Sequence, residues 1–171
     1  MHYHAEIWIP DTNNNVETEI EKILAPYNET NRCRDENCEG DCEHCSNTFW
    51  DWWQIGGRWT GTHDGYDPEK DPQNIENCRF HKGTNCPHCK GTGKAVKWPT
   101  AWPFHQGDVV PIGEVKDTVT CHTLILGEKI YMVERWTGKA FEKTDFDGKV
   151  KPMLAKLGVT NGFLVTVDYH S

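Results

Sequence analysis

The stretch "MHYHAEIWIP", residues 1–10, alternates between apolar and polar side chains, as a half-buried β-strand does. The segment "GFLVTVDYHS", residues 162–171, repeats this alternation at the other end of the sequence. Both segments are therefore predicted to be strands with one face toward a core. The apolar faces consist of Tyr3, Ala5, Ile7, Ile9, Phe163, Val165, Val167 and Tyr169.

Working inward, the pattern predicts a helix over residues 15–27 that Pro26 ends, and a second helix over 146–158 that ends at Gly158. Residues 121–136 indicate a hairpin that turns at Gly127. The resulting order of elements predicts an α+β fold with a ferredoxin-like, split βαβ antiparallel sheet and two helices on one face. We interpret residues 1–171 as a single domain with two Cys-rich zinc-binding insertions, at 28–47 and 64–109.

The second insertion contains "CRFHKGTNCPHCKGTGK", in which Cys78 and His81 are two residues apart, as are Cys86 and Cys89. Two such pairs can hold a tetrahedral ion, so the spacing predicts a zinc knuckle. His88 is the alternative to His81 as the fourth ligand. The part "CPHCKGTGK" resembles one half-repeat of a DnaJ-type zinc finger, a fold that needs more repeats than this chain has.

The first insertion contains a second cysteine cluster in an acidic stretch, "CRDENCEGDCEHC". We predict an all-cysteine zinc site formed by Cys33, Cys38, Cys42 and Cys45. The spacing also matches the iron–sulfur motif of radical SAM enzymes, but the chain is too short for their barrel. Another alternative is that both clusters share one ion. Cys121 is predicted to lie in the core. Neither cluster leaves an open coordination position, which is typical of structural zinc.

The segment "WDWWQIGGRWTG", residues 50–61, contains four tryptophans and a glycine pair. Alternation assigns Asp51, Trp53, Ile55 and Trp59 to one face, suited to a core. A predicted binding face holds Trp50, Trp52, Gln54 and Arg58. The glycines indicate a bulge or a close approach of the backbone. Arg58 either holds a carboxylate or phosphate, or stacks on Trp52 as a structural pair.

The polar faces of the two terminal strands are expected to meet, because these strands are antiparallel neighbours in a ferredoxin-like sheet. The candidate catalytic residues are His2, His4, Asp168 and His170, with Asp51 as an accessory carboxylate. Three imidazoles and a carboxylate suit metal binding or acid–base chemistry. The alternative is an ordinary solvated strand face.

The chain has 18 basic and 26 acidic side chains and a net charge of −8. This balance argues against nucleic acid as the partner, although a local basic patch is compatible with it. No apolar run has the length of a leader or a membrane span, so we expect a cytoplasmic protein. Clustered cysteines in that compartment more often bind metal than form disulfides.

Several segments resemble a family of small proteins encoded mainly by tailed bacteriophages, best over residues 47–103 and next over the last ten residues. The resemblance rests on four segments, "WDWWQIGGRWTG", "GYDPEKDPQN", "GTGKAVKWPT" and "LVTVDYH". It implies a protein that acts in the cytoplasm of an infected bacterial cell, and the first cysteine cluster is not part of it.

Three functions follow as hypotheses. The first is a zinc-stabilised binding protein that engages a host protein or other host macromolecule, as an inhibitor of host defence or of a host enzyme. The second is a hydrolase of a phosphorylated or nucleotide-like substrate, with Arg58 on a small anionic ligand. The third is a virion or assembly component.

Overall fold

The computed structural model describes residues 1–10, 15–33, 37–38, 42, 45, 47–137 and 139–171. Within these residues the chain forms a mixed α+β fold, with a six-stranded sheet, two two-stranded ribbons and two α-helices. The helices are α1 (Val16–Leu24) and α2 (Val150–Lys156). The strands are β1 (His2–Ile9), β2 (Trp52–Ile55), β3 (Ile75–Asn77), β4 (Lys94–Val96), β5 (Val109–Pro111), β6 (Thr123–Leu126), β7 (Lys129–Met132), β8 (Glu134–Trp136), β9 (Phe141–Lys143) and β10 (Phe163–His170).

The centre of the sheet is the antiparallel pair of β1 and β10, which run together from His2 opposite His170 to Ile9 opposite Phe163. The expected pairing of the two terminal strands is therefore present. The expected hairpin is also present, because β6 and β7 pair antiparallel around Gly127, whose φ of 64° suits glycine.

The order of strands is β2-β10-β1-β6-β7, with β5 also paired to β10. In a split βαβ unit another strand separates the two parallel strands, but β1 and β6 are parallel direct neighbours here. The sheet is thus mixed, where an antiparallel one was expected. The α+β class is confirmed, and the ferredoxin-like arrangement is not.

The two helices pack on opposite faces of the sheet, which corrects the expectation that they share one face. Ile20 and Leu24 of α1 pack with Ile7 and Val165 in one buried cluster. Val150 and Leu154 of α2 belong to a second cluster, with Leu124 and Leu164 from the other face. The reason is that both faces of this sheet carry apolar side chains and each requires a cover.

The α1 helix begins and ends as its sequence indicates. The side chain of Asn15 accepts hydrogen bonds from the N–H groups of Glu17 and Thr18, at 2.8 and 3.4 Å. Pro26 lies in a 3₁₀ turn, Ala25–Tyr27, that follows the helix. The indole of Trp50 then donates to the carbonyl of Leu24 at 2.8 Å, which ties the tryptophan segment to this helix end.

The glycine pair changes the direction of the tryptophan segment. Strand β2 ends at Ile55, and Gly56 and Gly57 have φ angles of 71° and 54° before a 3₁₀ turn, Gly57–Trp59. Trp53 and Ile55 pack against the first cluster, as expected. Trp59 was expected to join them, but the turn places it against His4 on the opposite face.

The second insertion contains a small antiparallel ribbon, β3 with β4, that flanks the cysteine pairs. Strands β8 and β9 form a second ribbon. The members of both buried clusters lie outside residues 75–98, so the β3–β4 ribbon stands apart from the core. The boundaries predicted for the two insertions stay predictions.

Candidate functional site

The first candidate site is a group of four thiols, Cys33, Cys38, Cys42 and Cys45, whose sulfurs lie within 4.8 Å of one another. The sulfur of Cys33 is 3.3 Å from that of Cys45 and 3.7 Å from that of Cys42. The sulfurs of Cys38 and Cys45 are 3.7 Å apart. Metal–sulfur bonds of about 2.3 Å in a tetrahedron place sulfurs ~3.8 Å apart. The arrangement therefore fits one tetrahedral ion.

Disulfides do not explain this cluster, because all eight cysteines are free thiols. The N–H of Cys45 points toward the sulfur of Cys42 at 3.3 Å, a contact that favours the thiolate form as a metal ligand. Cys45 is buried, 7 % exposed, and Thr48 beside it donates its hydroxyl to the Cys45 carbonyl at 2.9 Å. One side of the group is thus anchored on the folded chain.

The second candidate site contains Cys78, Cys86 and Cys89, whose sulfurs also lie within 4.8 Å of one another. The sulfurs of Cys78 and Cys86 are 3.9 Å apart, and Nδ1 of His81 is 3.2 Å from the sulfur of Cys89. His81 lies beside this group without belonging to the mutual 4.8 Å set. Among the three sulfurs, its Nδ1 contact is with that of Cys89.

His88, the alternative ligand, points elsewhere, because its ring packs on Phe80 with 4.8 Å between ring centroids. The thiol of Cys86 donates to the carbonyl of Phe80 at 3.2 Å, a hydrogen bond that requires the protonated form of Cys86. The two histidines therefore differ in their surroundings, since His81 contacts a sulfur and His88 contacts an aromatic ring.

The local backbone explains how the three-cysteine group forms. The N–H of Cys78, which follows β3, donates to the carbonyl of Gly93, which precedes β4, at 2.9 Å. A Cβ on Gly91, whose φ is 86°, would lie 2.5 Å from the carbonyl oxygen of Thr84, so this tight turn requires glycine. The N–H groups of Cys89 and His88 lower the pKa of Cys86, which favours its thiolate.

The third candidate site lies on the polar face of β1 and β10, where two imidazole–carboxylate pairs are adjacent. Nδ1 of His2 lies 2.8 Å from Oδ1 of Asp168, and Nδ1 of His170 lies 2.8 Å from Oδ1 of Asp51. The rings of His2 and His170 are 5.1 Å apart and nearly perpendicular. Asp168 is fully buried and also accepts a hydrogen bond from the N–H of Arg58, at 3.1 Å.

His4 is not part of these pairs, although it lies opposite Asp168 in the antiparallel pairing of β1 with β10. Its Nε2 lies 2.8 Å from Oε1 of Glu6, while Nε2 of His63 lies 3.1 Å from Oε2 of the same carboxylate. The Thr166 hydroxyl also donates to Glu6, at 2.9 Å. These residues are at most 6 % exposed, so the expected role of His4 in a surface site is replaced by a buried network.

The buried network depends on an ionised Glu6. Burial raises the pKa of Glu6, but the hydrogen bonds and charges of His4 and His63 outweigh this effect and lower the pKa to about 2. Sequence reasoning did not select Glu6 or His63. The signal for Glu6 was its place on the polar face of β1, whereas nothing in the sequence pattern marks His63.

The predicted binding face of the tryptophan segment is smaller than expected. Trp50 is 8 % exposed and belongs to the first core cluster, so the expectation that it faces a partner is wrong. Trp52 is half-buried with its ring edge-on to His2 at 5.6 Å. The amide nitrogen of Gln54 lies 3.4 Å from the carbonyls of Pro99 and Trp102.

Arg58 is exposed, and its guanidinium has no hydrogen-bond or ion-pair partner among the described residues. Of the four residues expected on the binding face, it alone presents a free charged group to solvent. Its backbone is held by the contact with Asp168, so the position of the side chain on the turn is defined.

The two cysteine groups are the only sets of three or more potential metal ligands within 4.8 Å of one another among the residues that the structure describes. They are separate sets, so the geometry does not match one ion shared between the clusters. The histidines on the polar face of β1 and β10 do not form such a set. Of the two uses expected for them, metal binding and acid–base chemistry, the second stays a prediction. Cys121 lies outside both groups in the second core cluster, as expected.

No protein-family model matches this chain, and no curated protein or solved structure gives a significant match to it. Neither of the described helices has the length and apolar character that crossing a bilayer requires.

Proposed function

We propose that this protein is a binding protein whose fold is stabilised by two structural zinc ions, one in each cysteine group. The observation that supports this proposal most directly is the four-cysteine group. Its sulfur–sulfur distances of 3.3 to 3.7 Å approach those of a tetrahedral site with four thiolate ligands. Soft thiolate ligands in a tetrahedron favour zinc or iron among the common ions. In the second site we assign three thiolates and the His81 imidazole, a common zinc ligand set.

Both sites lack an open coordination position once four ligands are bound, and such sites contribute to folding rather than to chemistry. This supports a role in which the metals hold surfaces in place for a partner. Large exposed aromatic side chains are frequent at such surfaces, and this chain exposes Phe80, Trp98 and Phe104. The bacteriophage resemblance extends the proposal to a host-cell macromolecule as the partner.

The metal proposal is tested by native mass spectrometry of the purified chain. We expect two zinc ions per chain, and one ion after Cys42→Ser or Cys86→Ser. Cys121→Ala is the matched control, because Cys121 is the one cysteine outside both groups, and it should keep two ions. A wild-type chain that folds without bound metal would contradict the proposal.

The partner proposal is tested by purifying the tagged chain from infected host cells. We expect a host macromolecule to co-purify with the wild-type chain. We also expect reduced recovery of that partner with Arg58→Ala, because Arg58 is exposed while its backbone is fixed. Recovery of the zinc-loaded chain alone, at physiological salt, would contradict a stable host partner.

A second candidate function is acid–base hydrolysis of a phosphorylated or nucleotide-like substrate. The observation that favours it is the adjacency of the His2–Asp168 and His170–Asp51 pairs, with ring centroids of the two histidines 5.1 Å apart. The buried carboxylate of Asp168 orients the His2 imidazole and stabilises its protonated form, while the exposed Asp51 pairs with His170, so one histidine could accept a proton while the other donates one. The exposed Arg58 guanidinium would bind the anionic group.

Hydrolysis of bis(p-nitrophenyl) phosphate and of a dinucleotide tests this candidate. We expect a bell-shaped pH profile for kcat/KM, and a loss of about 100-fold or more in kcat with His2→Gln or His170→Gln. His105→Gln is the matched control, since His105 also pairs with a carboxylate, Asp64, at 2.5 Å, but no second histidine–carboxylate pair adjoins it in the described part of the chain. Absence of hydrolysis above background by the zinc-loaded chain would exclude the activity toward these substrates.

A further inference from the structure

A groove of about 340 Å³ lies beside the three-cysteine group, and its lining includes the rings of Phe80, His88 and Trp98. Phe80 and Trp98 are 57 % and 70 % exposed, and both rings face the same groove, which makes them a patch rather than scattered side chains. Arg79, Lys97 and Glu76 also line this groove, and the Arg79 guanidinium lies 3.4 Å from the Glu76 carboxylate, so the basic side chains outnumber the acidic one. It therefore combines flat apolar surfaces with cationic groups.

The groove is held by rigid contacts rather than by a loose loop. Phe80 lies in the short segment between Cys78 and His81, so a zinc ion bound by both of these residues would fix its backbone. The Trp98 carbonyl accepts a hydrogen bond from the N–H of Ala101 at 2.8 Å, and the Trp102 indole donates to the carbonyl of the preceding residue, Lys97, at 3.0 Å. Both aromatic faces are thus presented at defined positions.

The local charge is opposite to that of the whole chain. Residues 76–98 carry five basic side chains and one carboxylate, while the chain as a whole has a net charge of −8. Three thiolates on a divalent ion remove one positive charge, and the segment stays cationic. The basic side chains are Arg79, Lys82, Lys90, Lys94 and Lys97.

We propose that this groove binds single-stranded nucleic acid, with bases stacked on Phe80 and Trp98 and phosphates near Arg79 and the surrounding lysines. Exposed rings within a cationic groove are the features that hold single strands without sequence readout. This inference deepens the proposed binding function and depends on it, because the zinc ion positions Phe80. It also revises the expectation from net charge, which averages this segment with an acidic remainder.

Two other occupants fit the groove less well. Protein interfaces are depleted of lysine, whereas four of the five basic side chains in this segment are lysines. A duplex presents its phosphates over a wide surface and hides its base faces, so the acidic remainder of the chain would repel it and the rings would have no stacking partner. A short single strand of nucleic acid offers bases that can stack on the rings and phosphates that can contact the basic side chains.

The test is fluorescence anisotropy of the zinc-loaded full chain with fluorescein-labelled oligo(dT), oligo(U) and a duplex of the same length. We expect binding of single strands in preference to the duplex. Trp98→Ala and Phe80→Ala should each weaken the affinity by at least about fivefold. Arg79→Gln should reduce the slope of log affinity against log salt concentration by about 0.7.

The matched control for stacking is Trp136→Ala. Trp136 is 47 % exposed and pairs with Phe141 on the other two-stranded ribbon, with ring centroids 5.1 Å apart, so it is an exposed aromatic outside the groove. Its removal should change the affinity less than twofold. Lys116→Gln serves in the same way for the loss of one exposed positive charge.

Zinc content and thermal melting are measured on every sample, which separates the possible failures. A chain that folds without zinc contradicts the proposed function itself. A zinc-loaded chain that binds no single strand, binds duplex equally well, or is unaffected by Trp98→Ala and Phe80→Ala overturns this inference alone. Recovery from cells of a protein partner that needs Phe80 and Trp98, in place of nucleic acid, would also overturn it.

Discussion

At the scale of single residues, Gly57 brings the turn after β2 into contact with the polar site. A Cβ at this position would lie 2.5 Å from the Cβ of Asp168 and 2.6 Å from its Oδ2, and φ is 54°. Asp168 has little freedom to move, because it is fully buried and bonded to His2. Gly57 therefore allows the Arg58 N–H to reach the Asp168 carboxylate.

We expect Gly57→Ala to lower the free energy of unfolding by about 2 to 3 kcal/mol, from steric overlap added to the strain of a positive φ. Gly127→Ala is the control, because its φ is 64° but the added methyl would meet nothing within 4 Å, so only the strain of about 1 kcal/mol applies. Urea unfolding of both variants measures the difference. Equal losses would contradict the close approach.

Glu6 makes a second residue-scale prediction, which concerns pH. Its folded pKa of about 2 lies below the ordinary 4.5, so the stabilisation is complete above pH 4.5 and is lost as the pH falls toward 2. The shift corresponds to about 3 kcal/mol. Glu6→Gln should lower stability by a similar amount at pH 6 and flatten its decline between pH 4.5 and 2. An unchanged pH profile in Glu6→Gln would contradict this role.

At the scale of elements, apolar periodicity and turn residues predicted β1, α1, the β6–β7 hairpin and β10. The predicted apolar faces of β1 and β10 do lie in the first core cluster, but their opposite faces are largely buried too, which alternation alone does not indicate. The prediction was wrong for Trp59, because the alternation of faces along a strand does not continue through Gly56 and Gly57, where the chain turns. It also failed for Trp50, whose indole finds a partner on α1 that no local pattern indicates. Such contacts depend on the tertiary arrangement.

The β3–β4 ribbon gives an element-scale prediction, because its residues belong to neither core cluster. Cys86→Ser should remove hydrogen-exchange protection from amides of residues 75–98 and leave that of β1 and β10 nearly unchanged. Cys121→Ala provides the contrast, since Cys121 lies in the second core cluster and its truncation should lower protection throughout the sheet. Loss of protection in β1 after Cys86→Ser would show that the ribbon and the sheet unfold together.

At the scale of the whole molecule, the sequence predicted the α+β class and both cysteine groups but not the order of strands. Ligand spacing along the chain is a local property, so the cysteine pairs could be identified directly. The parallel pairing of β1 with β6, and the packing of α1 and α2 on opposite faces, depend on contacts between distant segments. Net charge does not reveal the cationic segment 76–98, because it averages that segment with an acidic remainder.

Metal removal acts on the whole molecule if two closed sites stabilise its fold. Incubation with a strong chelator should lower the melting temperature by several degrees or more, because the free energy of metal binding is also folding free energy. Readdition of Zn²⁺ should restore the original melting curve. A melting temperature that does not respond to chelation would mean that neither site contributes to stability.

The most direct test of the account is X-ray absorption spectroscopy at the zinc edge on the purified chain. A four-cysteine site and a site with three cysteines and His81 together predict seven sulfur ligands and one nitrogen ligand for two ions, with Zn–S distances of about 2.3 Å. A first shell dominated by nitrogen or oxygen, or one with two or fewer sulfurs per ion, would contradict the assignment of both structural zinc sites.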